Sequence, residues 1–462
     1  MTRTTQTAAE YAAANQSRFY AQLLELIRLP SVSTQPEHAD DVAAAAAWLA
    51  DDMRAIGMET AEVIRMPEGR HPVVFGTWSG AGPDAPTVLI YSHYDVQPAA
   101  MADGWDSPPF TPTERDGKLY ARGSTDSKVN LMSQLKAVEA LLATGGAPVN
   151  VKLLFEGEEE SGSENINAFA AAHADRLRAD ACVICDGGIV APEQPSLDLG
   201  LRGVVTMELR VDGPVRDLHS GIYGGSVHNP LQALCEIVAQ LHDADGRVNV
   251  PGFYDDVYLP DAEERALLAG LDPWIEADWA RVANPPGPWG EPGFSVHERI
   301  GMRPTLEING LRGGYADAGF KTVLPAYALA KISCRLVPYQ EPGEIFALVR
   351  DRIAAVTPSS VTATLTRLDE GAPGVRMPAD TRAMRAAAAA YTSAWGVAPI
   401  YELAGGSVPI ASTLAGVSDE MVKMSFGYKG GQNHGPNEHI IIANFPRSVQ
   451  AAIAFLDAYA AG

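Results

Sequence analysis

Short, continuous runs of apolar residues, separated by amphipathic helical patterns, constrain the fold of this chain more than any other feature. The runs are HPVVFGTW, PTVLIYSHYD, VNVKLLFEGEEE and ACVICDGG. Consecutive apolar positions predict strands that are buried on both faces of a sheet. Helical spacing lies between the runs, as in the segment from Asp126 to about Thr144. The alternation predicts an α/β fold with a mostly parallel, helix-covered sheet.

The pattern changes near residue 200 and returns near residue 375. The segments GVVTMELRVDG, YALAKISCRLVP and SVTATLTRL alternate polar and apolar residues, and helical patterns occupy about 229–243 and 342–356. Alternation is typical of antiparallel strands with one solvated face, so these segments predict a two-layer α+β unit. A length of 462 residues favours two or three domains. We expect a first domain over 1–202 and 373–462, interrupted by an inserted domain over 203–372.

Charge and cysteine usage exclude several classes of partner. Lys and Arg number 35 and Asp and Glu number 57, which gives a formal net charge of −22 and disfavours nucleic acid. No run of about 18 apolar residues and no secretory signal is present, so we expect no membrane association. The four cysteines lack zinc-finger spacing, and Cys182 and Cys185 fall in an apolar run as expected of core thiols. A reducing cytoplasm is the expected location.

Histidines and acids follow the ends of the predicted parallel strands, where open α/β sheets bind ligands. After the strands come His93 and Asp95, then Glu156, Glu158, Glu159 and Glu160, and then Asp186. Asp126 precedes a helix, where an N-cap is the ordinary role and metal ligation the alternative. His434 lies in a glycine-rich C-terminal segment, GYKGGQNHGPNEH.

This set of donors predicts a metal site. Imidazoles combined with carboxylates suit zinc, manganese or cobalt. Five or six ligands exceed the needs of one tetrahedral zinc, so they favour two divalent metal ions roughly 3.5–4 Å apart that share a carboxylate and a water. A spare glutamate could serve as general base. A serine hydrolase is disfavoured, because no Gly-x-Ser-x-Gly elbow follows a predicted strand.

Several motifs in order resemble a known enzyme family over about residues 17–460. They are SHYDVQP, YARGSTDSK, EGEEESGS, GLRGVVTMELRVDGPVRDLHSGIYGGSVHNP, GFKTVLPAYALAKISCRLVP, GGSVP and NHGPNE. The chain resembles the co-catalytic di-zinc peptidases, which include carnosine dipeptidase, cytosolic non-specific dipeptidase, carboxypeptidase G, aminoacylase, acetylornithine deacetylase and succinyl-diaminopimelate desuccinylase. The segment DLHSGIYGGSVH is most similar to the dipeptidase branch.

The resemblance implies a role for each residue at the strand ends. The implied metal ligands are His93, Asp126, Glu160, Asp186 and His434, with Asp126 bridging the two metals. Glu159 is implied as the general base, and Asp95 as the acid that orients His93. The implied reaction is hydrolysis of a dipeptide amide bond.

The resemblance also implies that the inserted domain acts as a lid and mediates a homodimer. His219 is then the histidine that reaches the partner's site and stabilises an oxyanion. Arg335 is implied as the clamp for a substrate carboxylate. Thr322, Ser407 and Asn309 are further substrate-contact candidates.

Three departures from the family pattern bear on the substrate. Ser127 and Val129 flank Lys128 where relatives have Asp and Gly, and Glu158 adds an acid beside the expected base. Leu403-Ala404 stand where dipeptidases tend to have Arg-Glu, so the site could favour a blocked or apolar amino side. The alternative functions are therefore an N-acyl-amino-acid deacylase or a glutamate-releasing carboxypeptidase, and, outside the enzymes, a binding protein that has lost its metals.

Overall fold

The computed structural model describes residues 3–67, 69–287, 289–406, 408 and 410–462. The chain divides into two compact units. The first contains residues 1–199, 377–402 and 409–462, and the second contains residues 200–376 and 403–408. The sequence analysis places the boundaries at 202/203 and 372/373, and it assigns the short segment 403–408 to the first domain rather than to the inserted one.

The first unit is built around a mixed sheet. Its strands, in spatial order, are Thr60–Ile64, Val73–Trp78, Asn150–Glu156, Thr87–His93, Ala179–Ile184 and Ser418–Lys423. The last four run parallel, and the first two add an antiparallel edge. Strand Thr87–His93 is buried from Val88 to His93, which accounts for its continuous apolar run. The predicted mostly parallel sheet is confirmed.

Helices surround this sheet. They are Arg3–Ala14, Gln16–Ile27, Ala39–Ala55, Val129–Ala143, Glu164–Ala172, Ala174–Leu177, Arg382–Trp395, Ala411–Ala415 and Asn444–Ala461. Val129–Ala143 is buried almost throughout and packs against Asn444–Ala461, which closes the chain. None of the helices in the described ranges combines the length and apolarity needed to cross a membrane.

The second unit has the two-layer form expected of residues near 203–372. Its sheet is antiparallel, in the spatial order Thr305–Gly313, Tyr327–Leu336, Gly203–Asp212 and Thr362–Arg367. Helices Pro230–Val238 and Pro342–Val356 cover one face over a common apolar core. The unit also contains Ser220–Tyr223, Ala262–Leu268, Asp272–Val282 and Val296–Gly301, and the paired strands Leu218–His219 and Val323–Leu324.

Short strands complete the structure. They are Thr113–Arg115, Lys118–Tyr120, Gly188–Ile189, Ser196–Leu201, Val375–Arg376, Ile400–Ala404, Gly427–Tyr428 and His439–Ile441. Gly427–Tyr428 pairs in parallel with Gly188–Ile189, and His439–Ile441 pairs with Lys118–Tyr120. These pairings attach the segment around His434 to the end of the main sheet.

Candidate metal centre

The carboxyl ends of neighbouring parallel strands gather the polar residues of the first unit. His93 is the last residue of Thr87–His93 and lies opposite Glu156 of the adjacent strand. Asp186 follows Ala179–Ile184, the neighbour on the other side. Parallel strands end at the same edge, so residues nearly a hundred positions apart become close.

The five residues expected to bind metal form two groups that share Asp126. In the first, His93 Nε2 lies 3.1 Å from Asp126 Oδ1 and 3.6 Å from Asp186 Oδ1. In the second, His434 Nε2 lies 3.3 Å from Asp126 Oδ2 and 3.2 Å from Glu160 Oε2. Within each group the possible ligand atoms lie within 4.8 Å of one another. The two oxygens of Asp126 therefore face different histidines, as a bridging carboxylate requires.

Asp126 does not cap a helix, which was its ordinary reading from the sequence. The long helix begins at Val129, and Asp126 has an extended backbone with φ −126° and ψ 91°. The peptide bond between Asp126 and Ser127 is cis. The carboxylate faces His93 and His434 and makes no cap hydrogen bond to the helix.

Glu438 is a positioning residue that the sequence analysis quoted within NHGPNE without giving it a role. Its fully buried carboxylate accepts hydrogen bonds from the backbone N–H groups of Gly123 at 3.0 Å, Thr125 at 2.8 Å and Asp126 at 3.0 Å. Arg122 donates to the same carboxylate at 2.7 Å. Glu438 therefore holds the backbone that presents Asp126, and its presence in the motif was the available signal.

Asp95 organises the other side of the centre. Its carboxylate lies 3.3 Å from His93 Nδ1 and accepts the backbone N–H groups of Glu159 at 3.2 Å and Glu160 at 3.1 Å. Ser33, which the sequence analysis did not single out, donates its hydroxyl to Asp95 at 2.6 Å. The main-chain carbonyl of Asp95 also lies 3.1 Å from His93 Nδ1, so Asp95 contacts the imidazole through both groups, while its buried carboxylate fixes the turn that carries two of the glutamates.

The adjacent glutamates have different surroundings. Burial raises the pKa of Glu159 well above its ordinary value, and the nearby carboxylates of Asp186 and Glu160 add to this effect. Glu158, by contrast, accepts the backbone N–H of His71 at 2.8 Å and the Asn165 amide at 2.5 Å. The carboxylate of Glu158 is occupied by these two donors, which compensate the extra charge noted in the sequence.

The histidines and carboxylates of the centre shift one another's pKa values. Burial opposes a charge on His93, yet hydrogen bonds with Asp126, Asp186 and Asp95 hold its pKa well above the ordinary value. Hydrogen bonds with Asp126 and Glu160 raise the pKa of His434 to about 10. Burial would raise the pKa of Asp126, but the two histidines lower it. Two imidazoles among carboxylate oxygens form a nitrogen and oxygen donor set that fits zinc, manganese or cobalt.

The remaining candidates lie in the second unit. His219 pairs with Val323, and the backbone carbonyl of Thr322 accepts the N–H of Ser220 at 3.1 Å, so His219 and Thr322 are neighbours. His219 Nδ1 accepts the N–H of Gly221 at 3.0 Å.

Arg335 and Asn309 lie on a different pair of strands from His219 and Thr322. Arg335 lies opposite Thr305, and Asn309 falls at a bulge in the edge strand. Ser407 lies outside the described residues.

Proteins that are similar to this chain include peptidases. The family model "Peptidase family M20/M25/M40" matches residues 89–458. The chain is 30% identical to the Cys-Gly metallodipeptidase dug1 of Schizosaccharomyces pombe, over 94% of each chain. It is also 30% identical to the Beta-Ala-His dipeptidase of Homo sapiens, over 96% of this chain and 91% of that protein.

A solved structure extends the similarity to the fold. The M20 family metallo-carboxypeptidase Sso-CP2 of Sulfolobus solfataricus superposes with a TM-score of 0.82 at 30% identity, covering 96% of this chain and 99% of that one. The match to the family model spans most of the sequence and includes all five residues of the two metal-ligand groups. The chain belongs to peptidase family M20/M25/M40.

Proposed function

We propose that the protein is a metal-dependent dipeptidase that hydrolyses the amide bond of dipeptides or similar small peptides. The observation that carries this proposal is the pair of ligand groups joined through Asp126, beside the half-buried Glu159. Similarity to proteins named as dipeptidases over more than nine-tenths of their length supports the substrate class.

The proposed cofactor is a pair of divalent metal ions, most simply zinc, with manganese or cobalt as alternatives. His93 and Asp186 would hold one ion, His434 and Glu160 the other, and Asp126 both. When bound, such ions polarise a carbonyl and lower the pKa of a water.

Glu159 is the proposed general base. A carboxylate at this position would take a proton from the attacking water and later deliver it to the leaving amine. Asp95 holds the backbone of Glu159 and the ring of His93, so both would keep their orientation during proton transfer. A raised pKa suits a group that must both accept and release a proton near neutral pH.

The second unit is the proposed lid and dimerisation domain, corresponding to the inserted domain over 203–372. Arg335 would clamp the substrate carboxylate, with Thr322, Asn309 and Ser407 as further contacts. His219 is exposed and would stabilise the oxyanion in the site of a partner subunit. The edge strand Thr305–Gly313 and the exposed Leu311 and Phe320 support a homodimer through this unit, because unpaired edges and apolar surface favour association.

A second candidate function is that of an N-acyl-amino-acid deacylase or a glutamate-releasing carboxypeptidase. The observation in its favour is Ala404 in place of an acid, together with the similarity to a metallo-carboxypeptidase. Comparing kcat/KM for Ala-Ala with that for N-acetylalanine and N-acylglutamates separates the two. A clear preference for the acylated substrates would overturn the dipeptidase proposal.

We also propose a cytoplasmic location. Cys182, Cys185 and Cys334 are buried free thiols, and burial raises the pKa of each above its ordinary value. Cys235 is free and exposed. Free cysteines in this arrangement fit a reducing compartment.

The role of Glu159 is tested by Glu159→Gln, with Glu158→Gln as the matched control. We expect Glu159→Gln to retain two metal ions per chain and to lose turnover by at least about 1,000-fold, since proton transfer is removed. The control should keep turnover within about tenfold, because Glu158 binds His71 and Asn165.

Metal content by elemental analysis and kcat on Ala-Ala provide the measurements. Unchanged activity in Glu159→Gln would refute the assignment of the base. Absence of metal from the wild-type protein, without activation by added zinc, manganese or cobalt, would favour a binding protein instead.

A further inference from the structure

A second concave site lies wholly within the second unit, at the start of the edge strand Thr305–Gly313. It has a volume of about 250 Å³. Trp279 and Trp289 line it together with aliphatic side chains, and the ring of Tyr254 in the same lining lies against the guanidinium groups of Arg247 and Arg303. Aromatic walls of this kind pack against another flat ring in offset or edge-to-face geometry. A cavity this small suits one side chain rather than a whole drug-sized ligand.

The wall that carries Trp289 is held in place by the protein itself. Arg299 donates to the carbonyl of Trp289 and to the carbonyl of Glu291, both at 2.9 Å. The Trp289 ring lies over Gly246, where an added Cβ would come within 3.3 Å of it. The cavity is therefore formed before any ligand enters, which lowers the entropic cost of binding.

The principal buried charges of the cavity are already paired. Glu291 receives two hydrogen bonds from Arg303, at 2.7 and 2.8 Å. Both side chains are at least nine-tenths buried. A charged ligand group would compete with this pair, whereas an uncharged ring would leave it intact.

Two residues that line the cavity lie on the same face of the sheet as Arg335. Thr305, which lines the cavity, lies directly opposite Arg335 across the antiparallel pair, and Glu307 lies opposite Ser333. Directly opposed residues share a face, with Cβ atoms about 4.5–5.5 Å apart. The intervening Leu306 also lines the cavity and belongs to the apolar core on the other face, so the cavity lies at the end of the edge strand and is lined from both faces.

The surroundings of Arg202 agree with this placement. Arg202 donates to the carbonyl of Gly405 at 2.8 Å. Burial, together with the neighbouring guanidinium of Arg335, lowers the pKa of Arg202 to about 10, while Glu307 opposes that shift. Arg202, Arg335 and Glu307 therefore occupy one region beside the cavity.

We propose that this cavity is the subsite for the side chain of the C-terminal substrate residue, and that it selects aromatic side chains. The proposal rests on the proposed function, in which Arg335 holds the carboxylate of that residue. The side chain of an amino acid branches from the carbon that bears its carboxylate. A residue anchored at Arg335 therefore places its ring beside Thr305, which lines the cavity together with Trp279 and Trp289.

The test compares hydrolysis of Ala-Phe and Ala-Gly by the metal-loaded, full-length enzyme. We expect wild-type kcat/KM to favour Ala-Phe by at least about tenfold. Trp289→Ala should reduce the Ala-Phe to Ala-Gly ratio of kcat/KM about tenfold, and Trp289→Phe should restore most of it. Trp289 is 71% exposed, so its replacement removes little packing.

The matched control is Trp274→Ala. Trp274 is 45% exposed, shares helix Asp272–Val282 with Trp279, and does not line the cavity. The Ala-Phe to Ala-Gly ratio of kcat/KM in Trp274→Ala should equal that of the wild type. Equal ratios in wild type and Trp289→Ala would overturn the subsite, and so would an equal loss in Trp274→Ala.

A measurement on the wild type alone keeps the two proposals separate. Free L-phenylalanine should inhibit Ala-Gly hydrolysis at least about tenfold more strongly than L-alanine, because it presents both carboxylate and ring. Equal inhibition by the two amino acids, with Ala-Gly still hydrolysed, overturns the subsite and leaves the dipeptidase function standing. Absence of hydrolysis of every dipeptide would instead overturn the dipeptidase function.

Discussion

Three glutamates near the metal centre differ in their hydrogen bonds and in their charged neighbours. Glu156 is the last residue of strand Asn150–Glu156, and Glu158 and Glu159 follow it within three positions. Glu158 accepts hydrogen bonds from a backbone N–H and an amide, and Glu159 is half-buried beside other carboxylates. Glu156 is buried and accepts hydrogen bonds from Tyr91 and Ser163. The order of residues does not distinguish these three settings, since each depends on which element lies opposite.

The pH dependence of stability should contain a contribution from Glu156. Burial raises its pKa to about 8 in the folded state, against an ordinary value of 4.5. Between these values the folded state holds a proton that the unfolded state has lost, so the contribution of Glu156 to stability is full below about pH 4.5 and is lost as pH rises toward 8. Each pH unit in this window is worth at most about 1.4 kcal/mol.

Glu156→Gln removes this titration. In chelator-treated protein, we expect its Tm relative to wild type to rise by at least about 3 °C between pH 5 and pH 8. Scanning calorimetry at several pH values provides the measurement. A Tm difference that stays constant over this range would contradict the assignment.

Among the elements, the start of strand Gly203–Asp212 lies against the backbone of the segment at Ala372 and Pro373. This close contact requires glycine at position 203. The N–H of Val204 donates to the carbonyl of Ala372 at 2.9 Å. A Cβ at Gly203 would lie 2.2 Å from that carbonyl oxygen and 2.6 Å from the carbonyl carbon of Pro373. Those neighbours are main-chain atoms, which cannot rotate out of the way as a side chain can.

Gly203→Ala should therefore destabilise the second unit by about 2–3 kcal/mol, in the range of overpacked sites. The matched control is Gly310→Ala in the edge strand of the same sheet, where an added Cβ meets nothing within 4 Å. We expect the control to change stability by less than about 1 kcal/mol. Urea denaturation of both variants checks this, and comparable losses would show that Gly203 is not constrained by close approach.

Helix Arg3–Ala14 packs into the first unit through small residues. No helix was predicted from the sequence over these residues. The structure places Ala8 and Ala12 in the core and packs the helix against Val129–Ala143 and Asn444–Ala461. Alanine is small enough to allow close packing while contributing little to an apolar periodicity, so the pattern of larger apolar residues missed this helix.

For the whole molecule, chain order and spatial order differ. The first unit is completed by residues 377–402 and 409–462, which return after the second unit. Strand Ser418–Lys423 joins the sheet beside Ala179–Ile184, and His434 reaches Asp126. The metal centre therefore combines residues from before and after the second unit in the sequence.

A mixture of two inactive variants tests the proposed homodimer. If His219 acts in the partner's site, a dimer that combines His219→Ala with Glu159→Ala has one site with both functional groups. We expect up to about a quarter of wild-type activity after random subunit exchange, from near zero for either variant alone. Activity should be followed with subunit exchange verified by differently tagged chains. No recovery despite verified exchange would contradict action of His219 across the interface.

By itself, the sequence determined the α/β class, the change of pattern near residues 200 and 375, and the residues expected at the strand ends. These follow from periodicity and from motifs, which are local properties of the chain. The five metal ligands, with Asp126 bridging, were implied by resemblance, and the structure places His93 with Asp186 and His434 with Glu160.

Only the tertiary structure decided the surroundings of those residues. It assigned the support of Asp126 to Glu438, turned Glu158 toward His71 and Asn165, and formed an aromatic cavity beside Thr305. Each of these depends on hydrogen bonds or contacts between segments that are far apart in sequence. Their physical basis is burial and geometry, which arise when the chain folds and have no counterpart in the spacing of residues.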